Sequence, residues 1–81
     1  MKYLIMEDFA GLHVPFLFPN RVDHADMRDQ LPYGKVLGAG YISLQDGQFC
    51  CEGGNTELGA NARAEDAAII REALLAADKK D

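Results

Sequence analysis

Apolar side chains come in short runs along the first half of this chain, and the residues between the runs set its first two turns. Lys2 to Met6 and His13 to Phe18 are separated by Asp8-Phe9-Ala10-Gly11, a pattern that predicts a hairpin of two strands. Pro15 cannot donate to a ladder, which places the second strand at an edge or at a bulge. After Pro19-Asn20, Asp23 stands as the N-cap of a short helix, whose run from Ala25 to Leu31 stops at Pro32.

The next two runs, Tyr41-Ile42-Ser43-Leu44 and Phe49-Cys50-Cys51-Glu52, flank Asp46-Gly47, a dipeptide suited to the positive φ angles of a type I′ turn. A two-residue loop sets the register: Gln45 faces Gln48, Leu44 faces Phe49, Ser43 faces Cys50, Ile42 faces Cys51 and Tyr41 faces Glu52. Because faces alternate, Ile42, Leu44, Phe49 and Cys51 are expected on the core side under the helices, with Cys50 in solvent or at an interface. Gly38-Ala39-Gly40 suggests close packing or a bulge in the third strand, and Gly53-Gly54-Asn55 and Gly59-Ala60-Asn61 read as loops.

From Ala64 onward the period is helical, with Ala67, Ile70, Leu74 and Ala77 on one stripe. Glu65 and Asp66 in the first turn and Lys79 and Lys80 in the last suit the helix dipole. The expected fold is α+β, one domain over residues 1–81. A four-stranded antiparallel sheet in the chain order β-β-α-β-β-α carries both helices on one face. Since the first two strands are apolar on both parities, the other face would need a partner chain, which predicts a homodimer that an exposed Cys50 could cross-link.

Charge narrows the partners. With 13 acidic against 8 basic residues the net charge is -5, which argues against direct nucleic-acid binding through phosphates and favours a basic protein. The opening run is too short for a signal peptide or a membrane span, so a cytoplasmic protein is expected. Adjacent cysteines on a strand point to opposite faces and cannot readily bridge each other, so Cys50 and Cys51 are read as reduced thiols. His13, His24, Cys50 and Cys51 lack the spacing of a zinc site, with His24 expected at the surface. Glu52 beside Cys50 disfavours a thiolate nucleophile, and Gly38-Ala39-Gly40 lacks the third glycine of a dinucleotide fingerprint. No catalytic residue, metal or cofactor is assigned.

Asp23, Asp26 and Asp29 recur every third residue and therefore share one face of the short helix. Asp29 lies near the C-terminal end, where the dipole disfavours a carboxylate, so capping does not account for it. These three are the candidate partner-binding residues. Glu65, Asp66 and Glu72 form a second candidate patch, although Glu65 and Asp66 also fit a capping role.

Phe18-Pro19, Val22-Asp23-His24-Ala25-Asp26-Met27, Ala39-Gly40-Tyr41-Ile42-Ser43, Leu58-Gly59 and Arg63-Ala64-Glu65-Asp66 together resemble short proteins carried by phages, prophages and other mobile elements of proteobacteria. The resemblance spans roughly residues 2 to 72 and departs at Ala64, where a proline is expected, and at Cys50-Cys51. In size, charge and compactness the chain looks most like the anti-CRISPR proteins. That resemblance implies a non-enzymatic inhibitor in the host bacterium's cytoplasm, docking a carboxylate-bearing surface onto the Lys and Arg groove of a CRISPR effector complex and blocking its DNA. Another phage-type regulatory or structural binding protein, and a small thiol- or metal-dependent enzyme, stay open as alternatives.

Overall fold

A computed structural model describes residues 1–56 and 58–78. Strands β1 (Lys2–Glu7), β2 (His13–Phe18), β3 (Lys35–Gln45) and β4 (Gln48–Glu52) form one antiparallel sheet in the order β2-β1-β3-β4. Helix α1 (His24–Asp29) links β2 to β3, and α2 (Asp66–Asp78) closes the chain. The fold is α+β, with two helices on a four-stranded antiparallel sheet.

The third and fourth strands pair in the expected register, all five pairs from Gln45 with Gln48 to Tyr41 with Glu52. Asp46 and Gly47 supply the turn, with φ of 51 and 79. The expected sides hold for Ile42, which is buried, and for Phe49 and Cys51, which are half-buried against the same cluster. Leu44 breaks the pattern, at 64% exposed. It sits one pair from the turn. Cys50 is half-buried rather than fully in solvent.

Three expectations are corrected. The helices do not share one face: β1 sends Leu4 and Met6 into a cluster with Met27 and Leu31 of the α1 region, and Tyr3 and Ile5 into a cluster with Ile69 and Ile70 of α2. The two apolar parities of β1 thus face different helices, and both sides of the strand are buried within one chain. At β1, the cover that the homodimer expectation sought from a partner chain comes from the chain's own helices. Gly54–Asn55 (β5) and Ala60–Asn61 (β6) are not plain loop but a two-stranded ribbon packed over β3, with Ala60 buried beside Leu4 and Met6. The chain order accordingly becomes β-β-α-β-β-β-β-α.

Gly38 and Gly40 do serve close packing. A Cβ at Gly38 would sit 2.5 Å from an Asp66 carboxylate oxygen, and one at Gly40 would sit 2.5 Å from the Glu52 carbonyl and 3.3 Å from the Tyr3 ring. The pairing of β1 with β3 slips between Ile5 and Met6, where Gly38 faces Ile5 and Val36 faces Met6, leaving Leu37 as the extra residue of a bulge. Along α2 the buried side runs through Asp66, Ile69 and Ile70, while Leu74, expected on it, is 40% exposed. The Ala77 side chain, Lys79 and Lys80, also assigned to this helix from the pattern, lie outside the described part of the chain.

Candidate functional site

Asp23 is the N-cap of α1 in extended conformation, φ -72 and ψ 146, and its carbonyl accepts from the Met27 N–H at 3.0 Å. Its carboxylate makes no capping bond and stands 78% exposed, 3.9 Å from the Lys2 ammonium. Asp26 is exposed in the first turn, with no ion pair among the described residues. Asp29 is 66% exposed and accepts from the Arg28 guanidinium at 3.1 and 3.3 Å. The stripe therefore exists as a surface, but cations flank both its ends. Within the stripe, and among the described residues, only Asp26 presents a carboxylate without an ion-pair partner.

The second acidic patch is reduced to Glu65 and Glu72, both exposed on α2. Glu65 lies 3.8 Å from Arg63. Asp66, assigned to the same patch from the sequence, is fully buried. Its Oδ2 accepts from the Tyr3 hydroxyl at 2.7 Å and from the Arg63 backbone N–H at 2.9 Å, while Oδ1 accepts from Arg63 Nε at 2.8 Å. Reaching back three residues to the Arg63 N–H is the carboxylate half of a capping box, so the capping reading of Asp66 is the right one. The other half of the site is non-local. Tyr3 comes from the central strand, and Gly38 clears the space the carboxylate occupies.

Burial, the Asp66 hydrogen bond and the Asp66 charge together push the Tyr3 phenol far above its ordinary value of 10.0, in that order of size. Cys51 adjoins Tyr3 in the same cluster, and burial pushes its thiol above 9.0 despite an opposing hydrogen bond with Tyr3. A thiol in that setting is a weak nucleophile. Among the described residues, Arg63 Nη2 is a buried donor without a partner.

His24, expected at the surface, is 2% exposed under the start of α1. Its Nε2 lies 3.0 Å from the Gly40 carbonyl, which can only accept, so the hydrogen sits on Nε2. The rings of Phe18 and Tyr41 meet it edge to face at 5.4 and 5.8 Å. The Lys2 ammonium donates to the Val22 carbonyl at 2.9 Å, tying the same corner to β1. His13 is exposed on β2. No group of three or more His, Cys, Asp or Glu side chains suited to a metal occurs among the described residues, and none of their helices is long and apolar enough to cross a membrane.

A cleft of about 610 Å³ runs between the tip of the β3–β4 hairpin and α2, lined by Gly47, Gln48 and Phe49 on one side and Ala64, Ala68 and Arg71 on the other. It does not adjoin the α1 stripe, since the two helices lie on opposite faces of the sheet. The sequence reading missed the Tyr3, Arg63 and Asp66 network. Its one local signal was the spacing of Arg63 and Asp66, which fits a helix start as well as a surface patch. No protein-family model, curated protein or solved structure matches the chain.

Proposed function

We propose that this chain is a non-enzymatic binding protein that engages a basic protein partner through the exposed carboxylates of α1. The observation that supports it is the sorting of polar groups. Four groups suited to acid-base or thiol chemistry, Asp66, Tyr3, His24 and Cys51, make their contacts inside the fold, whereas Asp23, Asp26 and Asp29 face outward. Exposed carboxylates on a rigid turn of helix complement Lys and Arg side chains and steer encounter more than they add affinity. Glu65 and Glu72 lie on the opposite face of the sheet and would serve a separate contact.

The most specific form of this reading is the one the resemblance implies: an anti-CRISPR-like inhibitor that covers the DNA-binding groove of a CRISPR effector complex in the cytoplasm of a host bacterium. Competition decides it. The purified chain should displace double-stranded DNA from such a complex in a mobility-shift assay. The double variant Asp26→Lys with Asp29→Lys should lose most of that effect, and lose it more at low than at high salt, because exposed charges are screened. Unchanged competition by a folded double variant would remove the acidic surface from the mechanism. No competition by the parent chain with any effector tried would leave the inhibitor form without support.

A further inference from the structure

The two edges of the sheet differ in a way that singles out one of them as an interface. Strand β2 carries Pro15 at its centre, opposite Ile5. With no N–H to offer, that position blunts the edge against strand addition. Strand β4 has no such device. Its inward bonds follow from the tight turn: in a two-residue hairpin Gln45 and Gln48 form a hydrogen-bonded pair, and hydrogen-bonded and non-hydrogen-bonded pairs then alternate. Gln48, Cys50 and Glu52 therefore spend their backbone groups on β3, while Phe49 and Cys51 aim theirs outward. Among the described residues β4 pairs with β3 alone, and no other backbone group reaches those of Phe49 or Cys51. Beside this strand stand Ala64, just ahead of α2, and Ala67 and Ala68 on its flank, whose short side chains leave the cleft next to Gln48 and Phe49 open.

We propose that β4 is a self-pairing edge: two copies of this chain add β4 to β4 antiparallel, about a two-fold axis through Cys50. The register follows from the strand itself. Centred on Cys50, all five residues pair, Gln48 with Glu52 and Phe49 with Cys51 of the other copy, and the outward groups of Phe49 and Cys51 bond to each other. Centred on Phe49, Asp46 would face Glu52 of the other copy and like charges would meet. Centred on Cys51, Gly53 would enter the ladder, but its φ of 78 has already turned the chain away. The Cys50-centred register avoids both faults. It sets a neutral Gln48 against each Glu52 and sets Cys50 against itself in a non-hydrogen-bonded pair. The Cα separation in such a pair, about 4.5 Å, falls within the range a disulfide spans. Because the axis runs perpendicular to the sheet, both α1 surfaces of the dimer point to the same side. This interface depends on neither the acidic stripe nor any partner proposed for it.

Sedimentation velocity from low to high micromolar concentration, under reducing conditions, tests the association. The parent chain should shift from monomer to dimer with concentration. Cys50→Lys, which sets two ammonium groups face to face on the axis, should stay monomeric with an unchanged circular dichroism spectrum. Gln48→Glu, an isosteric change at an exposed position, should weaken the dimer several-fold by opposing a carboxylate to each Glu52. Oxidised glutathione tests the register: two Cys50 thiols give up two protons and two electrons to form one disulfide, and the glutathione disulfide is reduced to two thiols. Cross-linked dimer should form in the parent chain and in Cys51→Ser, and not when the single cysteine is moved by Gln48→Cys with Cys50→Ser and Cys51→Ser. A parent chain that remains monomeric throughout, a dimer that survives both charge variants, or equal cross-linking from position 48 would each overturn the proposal.

Discussion

The two faces of the sheet hold their helices by different means. On one, the short α1 is seated by apolar contacts of Val22, Met27 and Leu31 with Leu4, Met6 and Phe18, and its polar anchors, the His24 imidazole on the Gly40 carbonyl and the Lys2 ammonium on the Val22 carbonyl, each bond to backbone. On the other, α2 adds to its Ile69 and Ile70 contacts a carboxylate gripped by a strand phenol and by Arg63. An apolar contact degrades gradually as atoms are removed. A buried charge network fails abruptly, because deleting one member strands the others without partners. The α2 face should therefore be the more sensitive to single polar substitutions, although both faces are equally buried at β1.

Asp66→Ala should be the most damaging, because it leaves the Tyr3 hydroxyl and two Arg63 donors unpaired; we expect a loss of about 3 to 5 kcal/mol, read from urea unfolding midpoints. A loss under about 1 kcal/mol would mean that water replaces the carboxylate and that the two faces are alike. Gly38→Ala probes the same face from the strand side. Its added methyl meets a carboxylate fixed by three donors, so overpacking should cost about 1 to 3 kcal/mol. Combined with Asp66→Ala the two losses should add up to less than their sum, since the clash disappears with the carboxylate.

Alkaline titration sharpens the contrast further. Tyr3 is held protonated in the folded state above its ordinary value of 10.0, and Cys51 above 9.0. Their share of stability is complete well below pH 9 and falls as pH rises through the unfolded values, when only the unfolded chain ionises. For Tyr3 the loss should approach about 1.4 kcal/mol per pH unit above 10. Denaturation midpoints measured from pH 8 to 11 should therefore fall in the parent chain and fall less steeply in Tyr3→Phe, whose lost hydroxyl also lowers the starting value. Equal slopes would show that the phenol is not protected. The α1 face supplies the smallest effect. His24→Phe keeps the ring against Phe18 and Tyr41 and removes only the bond to Gly40, costing about 1 kcal/mol. A larger loss than that of Gly38→Ala would reverse the ranking of the two faces.

Much of the architecture is legible in the order of residues alone. The boundaries of β1 and β2, the N-cap at Asp23 and the stop near Pro32 follow from local rules of turn and cap chemistry. The β5–β6 ribbon was not legible, because two pairs flanked by glycines carry no alternation to detect. The acidic stripe on α1 was read correctly as a surface, but its neutralising neighbours were only partly visible. Arg28 is next to Asp29 in the chain, whereas Lys2 reaches Asp23 from a different strand.

Neighbouring residues settle much among themselves: an Asp-Gly turn imposes the register of all five β3–β4 pairs, and side chains of period two fall on opposite faces. Which helix covers which face depends instead on contacts between distant segments. So does the burial of Asp66 and His24, residues whose polarity argued for the surface. Asp66 meets its phenol across 63 positions of chain and His24 its carbonyl across 16. A carboxylate or an imidazole enters an interior only when its partners arrive there with it. That condition depends on the folding of distant segments together, and no local pattern of residues expresses it.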